Sequence, residues 1–473
     1  MNEDEVRSRP TGTPTNLQAG GQTAPASPRV SRAGFGSSIS ATAPHWHIHG
    51  RCVNLTSIQT WHPGGRAILK LVQGDNDVTA TFESYHAFAS PATRAVILRK
   101  LGSLTLPSCG AASVGQKRAA TWRAGELFAT VRSRVAAEMG RHHKATAEWW
   151  FKTLGATMFL LVLWVELLRG SVQAGAVLGL AQWILAYIAL HDACHFAVFV
   201  NPKHNLMLSA AVCTLVNLWH PRRWLYHHAV RHHAFTGDDK LDPDRRHLQP
   251  FIDKRTPSAS KAGLFVFITM VFPGLWLGQA LSYLGWWGRK RLWGMKDVDD
   301  PHVRWLALGW AMRLGTAWYN PLGTFIWTVA SNVIYALTIL PDHDTATTRR
   351  NSATHHTADW GEQQVRHSAN FGGVVCWWLF GGINYQIEHH LFPSLNHVHH
   401  RRIAPIVKQV CDEFDVPYAH LPTVLGAYLD CVRVFTDVLP SHNCDPANKP
   451  EQKLGGKSDA GTERPQSAKT KNE

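Results

Sequence analysis

Val172-Gln-Ala-Gly-Ala-Val-Leu-Gly-Leu-Ala-Gln-Trp-Ile-Leu-Ala-Tyr-Ile-Ala-Leu-His-Asp-Ala-Cys-His195 is uncharged up to Leu190 and then ends in two histidines four residues apart. A helix needs about 20 apolar residues to cross about 30 Å of hydrocarbon. Positions i and i+4 share a helix face, so His191 and His195 point the same way as the chain leaves the membrane. An ionisable residue in such a place is a functional signal by default. Two further clusters follow, His228-Ala-Val-Arg-His232-His233 and Gln386-Ile-Glu-His389-His390. All-imidazole ligation without cysteine suits iron, copper or zinc. So many histidines exceed what one tetrahedral zinc uses, and two metals fit better.

Other apolar runs flank these clusters. Residues 154–168 read as a first span, with Trp149 and Trp150 as interface anchors. Residues 172–190, 262–287 and 322–340 read as the second, third and fourth, and the shorter run 206–219 as a buried or interfacial helix. With a cytosolic N-terminal domain, the second span returns to the cytosol before His191 and the fourth before His343, so all clusters share one side. Arg222, Arg223, Arg245, Arg246, Lys254, Arg255 and Lys261 agree with that side. Arg289, Lys290, Arg291, Lys296, Arg304 and Arg313 oppose it, because this topology makes residues 288–320 lumenal; an interfacial helix dipping from the cytosolic side is the alternative.

Composition agrees with a metal-binding membrane protein. The 473 residues include 28 histidines and 20 tryptophans; imidazole is the commonest protein metal ligand, and tryptophan favours membrane interfaces. The net charge of +14 suits an anionic lipid surface. No nucleic-acid-binding fold or basic-aromatic strip accompanies it, which argues against nucleic acid. The eight cysteines are scattered without a C-x-x-C pair, arguing against a disulfide framework or thiolate metal site. The opening Met-Asn-Glu-Asp-Glu has no apolar core and argues against secretion.

Residues 1–43 and 441–473 are polar, Ser/Gly/Pro-containing and aperiodic, and read as disordered. Residues 44–103 read as a small folded domain, 104–147 as a linker and basic pre-membrane helix, and 148–440 as a membrane domain. The small domain carries Trp61-His62-Pro-Gly-Gly65 and Phe82-Glu-Ser-Tyr-His86. The proline and glycines make a tight turn that presents His62 and lets a flat ring approach the backbone. Two axial imidazoles on a haem leave no open coordination position, which favours electron transfer over oxygen binding. With Trp46-His-Ile-His-Gly50, this stretch resembles the cytochrome b5 family, and the resemblance implies that His62 and His86 are the axial ligands of a haem b. Cys52-Val-Asn54 departs from that family's usual Val-Tyr-Asp.

Residues from about 145 to 435 resemble the membrane fatty-acid desaturase superfamily. The matching stretches are His191–His195, His228–Gly237 with Leu241-Asp-Pro-Asp244, Trp360-Gly-Glu-Gln-Gln-Val-Arg366 and Gln386-Ile-Glu-His-His-Leu-Phe-Pro-Ser394. The fused haem-type domain and the glutamine opening the third box are similar to its front-end branch. The resemblance implies a multi-domain protein: a small α+β haem domain, and an all-α membrane domain with about four spans and a cytosolic histidine-rich cap. It implies two non-haem irons held by His191, His195, His228, His232, His233, His389 and His390, with His343 an additional ligand. Gln386, where other branches have histidine, is a weak ligand or a donor to one. Pro341-Asp-His-Asp344 departs from the family's usual Ser-His-Asn surroundings. His227, His355, His356 and His367 have no matched ligand role, and His397, His399 and His400 beside Arg401 and Arg402 read as a lipid-facing basic surface.

The implied activity is O2-dependent insertion of a cis double bond between an existing one and the carboxyl end of a long-chain polyunsaturated acyl chain, carried as acyl-CoA or phospholipid. Electrons come from NADH through a cytochrome b5 reductase, and the second box favours Δ5 or Δ4 over Δ6. Lys469-Thr-Lys471-Asn-Glu resembles a dilysine retrieval signal, placing the chain in the endoplasmic reticulum membrane with both sites facing the cytosol. A sphingolipid long-chain-base desaturase, a lipid hydroxylase on the same scaffold and a non-catalytic electron carrier stand as alternatives; a carrier has no use for the three histidine boxes.

Overall fold

The computed structural model describes residues 44–73, 77–106, 125–140, 142–238, 241–248, 258–272, 291–292, 295–296, 301–353 and 359–437. The two terminal segments, most of the linker, the second half of the third expected span, His355, His356 and the dilysine motif lie outside them. Residues 44–473 form one compact unit.

Among the described residues, three helices are long and apolar enough to cross a membrane: Ala147–Leu168, Val172–Cys194 and Pro321–Ser352. The first exposes Phe151, Leu154, Met158, Val162 and Val165, an apolar stripe at helical spacing with Phe151 77% exposed. Such a stripe is costly in water and is a lipid-facing surface. The second is mostly buried because it packs tightly on the third. A Cβ on Gly175 would lie 2.1 Å from the Gly323 carbonyl, and one on Gly179 2.6 Å from the Ala330 Cβ. Small residues four apart let two backbones approach where lipid supplies no hydrophobic drive. Asn320 starts the third: its side chain accepts from Gly323 N–H at 2.9 Å and donates to the Leu167 carbonyl at 3.0 Å, and Pro321 fits the first turn.

Helix Ala259–Met270 is the described part of the third expected span. Pro202–Leu215 matches the expected short helix. The segment read as a basic lumenal loop contains instead a 17-residue helix, Val303–Tyr319. Its charges obscured an apolar Trp305-Leu-Ala-Leu-Gly-Trp310 core. One of those charges, Arg313, is buried over the Trp327 ring at 3.3 Å, with the Gln182 side-chain oxygen at 3.4 Å. Among the described residues the membrane part is thus helical apart from two short strand pairs, Arg291–Leu292 antiparallel to Met295–Lys296 and Asn370–Phe371 parallel to His420–Leu421.

Residues 44–106 build a hairpin, Trp46–Ile48 with Arg51–Val53, closed by His49 and Gly50 at φ 52° and 69°. Both turn residues have positive φ, as a tight primed turn requires. Helices Gly65–Leu71, Thr79–Tyr85 and Pro91–Ser103 follow. The core of this part includes Trp46, Ile48, Val53, Leu69 and Leu101, and also Val230 from the second histidine cluster. A second contact joins Ile68, Leu71 and Tyr85 to Cys194, Leu225 and Ala229. The small domain therefore sits directly on the histidine-bearing segments. Cys52 is disulfide-bonded, whereas Cys194, Cys213, Cys376, Cys411 and Cys431 are buried and form no disulfide.

Helix Glu126–Met139 lays Leu127, Phe128, Val131, Val135 and Met139 into a core shared with Ile387, Leu391, Phe392, Ile403 and Val407. Each such side chain stabilises by roughly 1.5–3 kcal/mol. The same helix reaches the small domain through Glu83, whose fully buried carboxylate meets Arg94 at 2.6 Å, His49 at 2.8 Å and Arg132 at 3.3 Å. Burial alone raises the carboxyl pKa, but hydrogen bonds from His49 and Arg94 and the Arg94 charge outweigh it and hold it at about 2. The folded pKa lies below the ordinary 4.5, so this stabilisation is complete above about 4.5 and is lost as pH falls towards about 2. Glu83→Gln is expected to cost about 1–3 kcal/mol at neutral pH. Hydrogen–deuterium exchange should quicken in Thr79–Tyr85 and Glu126–Met139; unchanged exchange there refutes the bridge.

Candidate metal centre

The histidine segments are not plain α-helices. Ala186–His191 and Leu225–His232 are π-helical. A π-turn inserts a residue into the helical register, and such turns recur at functional sites. Leu225–His232 carries His228 and His232, and His233 opens the next turn. Third-box helix Gln386–Leu391 supplies His389 and His390, and His343 follows the short turn after Pro321–Thr338.

The structure brings all eight expected histidines together. Ring nitrogens of His191, His195, His228 and His389 lie within 4.8 Å of one another, as do those of His232, His343 and His390, and those of His233, His389 and His390. Two contacts are closest: His389 Nε2 to His233 Nε2 at 3.1 Å and His232 Nε2 to His343 Nε2 at 3.2 Å. Two nitrogens about 2.1 Å from one metal and about 90° apart lie about 3 Å from each other. Nε2 of His191, His195, His228 and His390 is buried without a hydrogen-bond partner. Buried polar atoms are rarely left so, and a row of orphaned lone pairs is the donor set a cation satisfies. Asp244 also approaches His228 and His232 closely enough to share a metal with them.

The far nitrogens of His232, His343, His390 and His195 are held by the protein, whereas His233 Nδ1 is buried without a partner. His232 Nδ1 meets Asp242 at 3.0 Å, and Asp242 is fixed in turn by the Gly237 N–H at 2.8 Å. His343 Nδ1 donates to the His367 carbonyl at 3.0 Å. His390 Nδ1 meets the Gln364 side-chain oxygen at 2.9 Å and Thr236 Oγ1 at 3.1 Å. His195 Nδ1 meets the Tyr85 hydroxyl at 2.7 Å. Such outer partners fix tautomer and ring orientation. Burial, reinforced by neighbouring imidazoles, pushes the pKa of His195, His228, His233, His389 and His390 well down, leaving neutral donors. His232 is the exception: burial lowers its pKa, but Asp242 and Asp244 together outweigh it and raise it to about 9.

Gln386 is buried beside these rings. Its Nε2 donates to Asp342 at 2.6 Å, and its Oε1 has no partner and is free to face a metal or a ligand. His227 pairs with Asp244 at 2.5 Å and stays outside the cluster. His367 contributes its backbone, not its ring. The reading of His397, His399 and His400 as a lipid-facing surface is corrected. His397 and His400 are buried and His399 is half-buried, its ring on the Lys144 carbonyl at 3.0 Å; the exposed charges are Arg401 and Arg402. His397 Nδ1 donates to Asp192 at 2.6 Å and its Nε2 meets Lys152 at 3.0 Å. Asp192 also accepts from Trp149 at 2.8 Å and Asn396 at 3.0 Å, which locks the first box to the segment after the third. Asp192 and Tyr85 lie inside the quoted motifs, but no periodicity or motif reveals their distant partners His397 and His195.

In the small domain, the His62 and His86 ring centres stand 6.3 Å apart at 61°. His86 Nδ1 donates to the Phe82 carbonyl at 2.6 Å, while His62 Nδ1 accepts from the Gly64 N–H at 3.1 Å. A Cβ on Gly64 would press within 3.0 Å of the His62 ring.

A family model for fatty acid desaturase matches residues 170–422, more than half of the chain. The chain belongs to that family, and it is an oxidoreductase. It is 30% identical over 424 residues to the chloroplastic acyl-lipid (7-3)-desaturase of Chlamydomonas reinhardtii, covering 80% of this chain and 78% of that protein. It is 27% identical to the acyl-lipid (8-3)-desaturase of Mortierella alpina, over 82% of this chain and 93% of that one. It is 23% identical to a probable Delta(5) fatty acid desaturase of Dictyostelium discoideum, over 80% and 88%.

Asp242→Asn removes the carboxylate behind His232 and is expected to weaken iron retention roughly 10- to 100-fold, read as iron per protein after chelator challenge. Gly237→Ala is expected to act in the same direction, since Gly237 sits at φ 80° and a Cβ there would collide with the His367 ring at 1.9 Å. Wild-type iron retention in both variants removes these contacts from the site's support.

Proposed function

We propose that this desaturase is a front-end enzyme that introduces a cis double bond between an existing one and the carboxyl end of a long-chain polyunsaturated acyl chain. The observation that carries the reading is a cavity of about 140 Å³ that reaches His191, His228, His232, His343 and Gln386. Its wall is aromatic: Trp224 stacks on His228 at 4.6 Å, Trp219 packs tilted against Trp224 at 4.6 Å, and Trp183 lies between Trp219 and Tyr335. Apolar walls ending at a few polar groups are what a methylene chain needs for alignment.

The eight histidines, with Gln386 as a further oxygen donor, would hold two irons. Bound iron supplies O2 activation and hydrogen abstraction, which no side chain performs. The chain's own residues do the rest. The aromatic wall positions one carbon pair and excludes water. Trp183 is fixed by Ser331, its indole N–H donating to the Ser331 carbonyl at 2.6 Å, and Tyr187 by Thr338 at 2.5 Å, so the cavity's shape is rigid. His232 would hold a metal through Nε2 as the neutral imidazole, its Nδ1–H on Asp242.

Residues 44–103 are read as a cytochrome b5-like domain with haem b between His62 and His86. Each imidazole bound through Nε2 puts its ring centre about 3 Å from the iron, so the observed 6.3 Å suits an iron midway. His86, its Nδ1–H on the Phe82 carbonyl, has Nε2 available to hold the haem; His62 would hold it through Nε2 with its proton on Nδ1, in place of the Gly64 contact. NADH through a cytochrome b5 reductase is the proposed electron source and the endoplasmic reticulum membrane the proposed location, both sites facing the cytosol. The relatives named for (7-3), (8-3) and Delta(5) activities support front-end insertion; the preference for Δ5 or Δ4 over Δ6 rests on the second histidine box.

The test is expression in yeast fed C18, C20 or C22 polyenoic acids singly, with mass-spectrometric localisation of double bonds. One new bond on the carboxyl side of a fed acid is expected. A new bond only in sphingoid bases, or a hydroxylated product, overturns the reading. His62→Ala is expected to abolish the product while iron content persists.

A further inference from the structure

Tyr85 joins two parts of the molecule that the reading above makes redox partners. It ends helix Thr79–Tyr85, and His86 is the next residue. Successive side chains on a helix diverge by roughly 100°, so neighbours in sequence face different surroundings. His86 turns to His62, with ring centres 6.3 Å apart. Tyr85 turns the other way, its hydroxyl 2.7 Å from His195 Nδ1 and its ring nearly parallel to the imidazole at 6.2 Å. It packs there against Cys194, Leu225 and Ala229, and the edge of Phe196 closes one side. The other nitrogen of His195, Nε2, is buried, unpartnered and grouped with His191, His228 and His389.

We propose that Tyr85 is the electron-transfer contact between the two centres, linking haem ligand His86 through one peptide unit to metal ligand His195 through one hydrogen bond. The proposal rests on the haem and two-iron assignments above. With a metal on Nε2, His195 keeps its proton on Nδ1 and donates it to the phenol oxygen, so Tyr85 bridges without losing a proton. Each transfer oxidises one ferrous haem to ferric and reduces the histidine-bound centre by one electron; no bond in the protein forms or breaks. Among the described residues, other contacts between the two parts include apolar packing, the Phe88 ring stacked on His143 at 4.7 Å and the Glu83 ion cluster, in which Glu83 reaches Arg132 at 3.3 Å.

The experiment uses the full-length protein in lipid nanodiscs, reduced anaerobically with NADH and a cytochrome b5 reductase and then mixed with O2 and acyl substrate. Haem reoxidation is followed by stopped-flow absorbance, with His233→Ala setting the background. Tyr85→Phe is expected to slow reoxidation roughly tenfold or more when rates are compared per iron retained, with wild-type haem spectrum and rate of haem reduction. Tyr85→Leu, which keeps the apolar packing, carries the same expectation should the phenylalanine variant not accumulate. Reoxidation at the wild-type rate overturns the proposal, and so does slowing that only tracks iron loss, because Tyr85 then merely holds His195. A wild-type chain lacking a haem spectrum sinks the haem assignment, and the proposal with it, by a separate readout.

Discussion

Eight imidazoles with their lone pairs turned inward make an arrangement that cannot stand alone. Unpaired buried polar groups cost about 1–3 kcal/mol each, and the Nε2 atoms of His191, His195, His228 and His390 have no partner in the protein. The rest of the fold is arranged around this constraint. Asp242, Gln364, Thr236 and Tyr85 occupy the outer nitrogens, so the rings cannot turn away to satisfy themselves elsewhere. The Asp192–His397–Lys152 lock keeps the first and third boxes in register across 205 residues of chain. A cation resolves the frustration that these contacts maintain.

The helix pairing that makes room for the site follows a different logic. Gly175 and Gly179 let Val172–Leu185 sit against Pro321–Thr338 with backbones nearly touching. Close approach there leaves the aromatic side chains of the same two helices to crowd one end. Trp183 and Tyr335 meet at 5.0 Å, and that crowding shapes the apolar end of the cavity. The site and its access therefore come from one packing decision: small residues where helices touch, large rings where they part.

Much of this was legible in the sequence, and for physical reasons. The i, i+4 histidine spacing, the uncharged runs and the His-Pro-Gly-Gly turn are local patterns, and the expected ligand histidines do converge. Charge-counting misled where helix packing outranks it: Arg313 reads as a loop charge but lies buried on Trp327, inside a helix of 17 residues. The His397–His400 segment misled likewise, because arginines at 401 and 402 make an amphipathic helix look like a surface. Its histidines belong to the buried face. Partners far apart in sequence, such as Asp192 with His397 or Tyr85 with His195, have no local signature and appear only when the chain is folded.

The position of the small domain carries a kinetic consequence. A freely tethered domain must find its partner by diffusion at each encounter, whereas this one shares a hydrophobic core with the histidine-bearing segments. Val230, between His228 and His232, is buried in the small domain's own core, and Ala80 and Ala87 on either side of Tyr85 join the core that supports the third box. Pulling the domain away would expose those apolar contacts and break the Glu83–Arg132 contact, so the docked state is the stable one. The covalent fusion then does more than raise local concentration. It fixes one orientation, in which the helix that ends at His86 also touches His195.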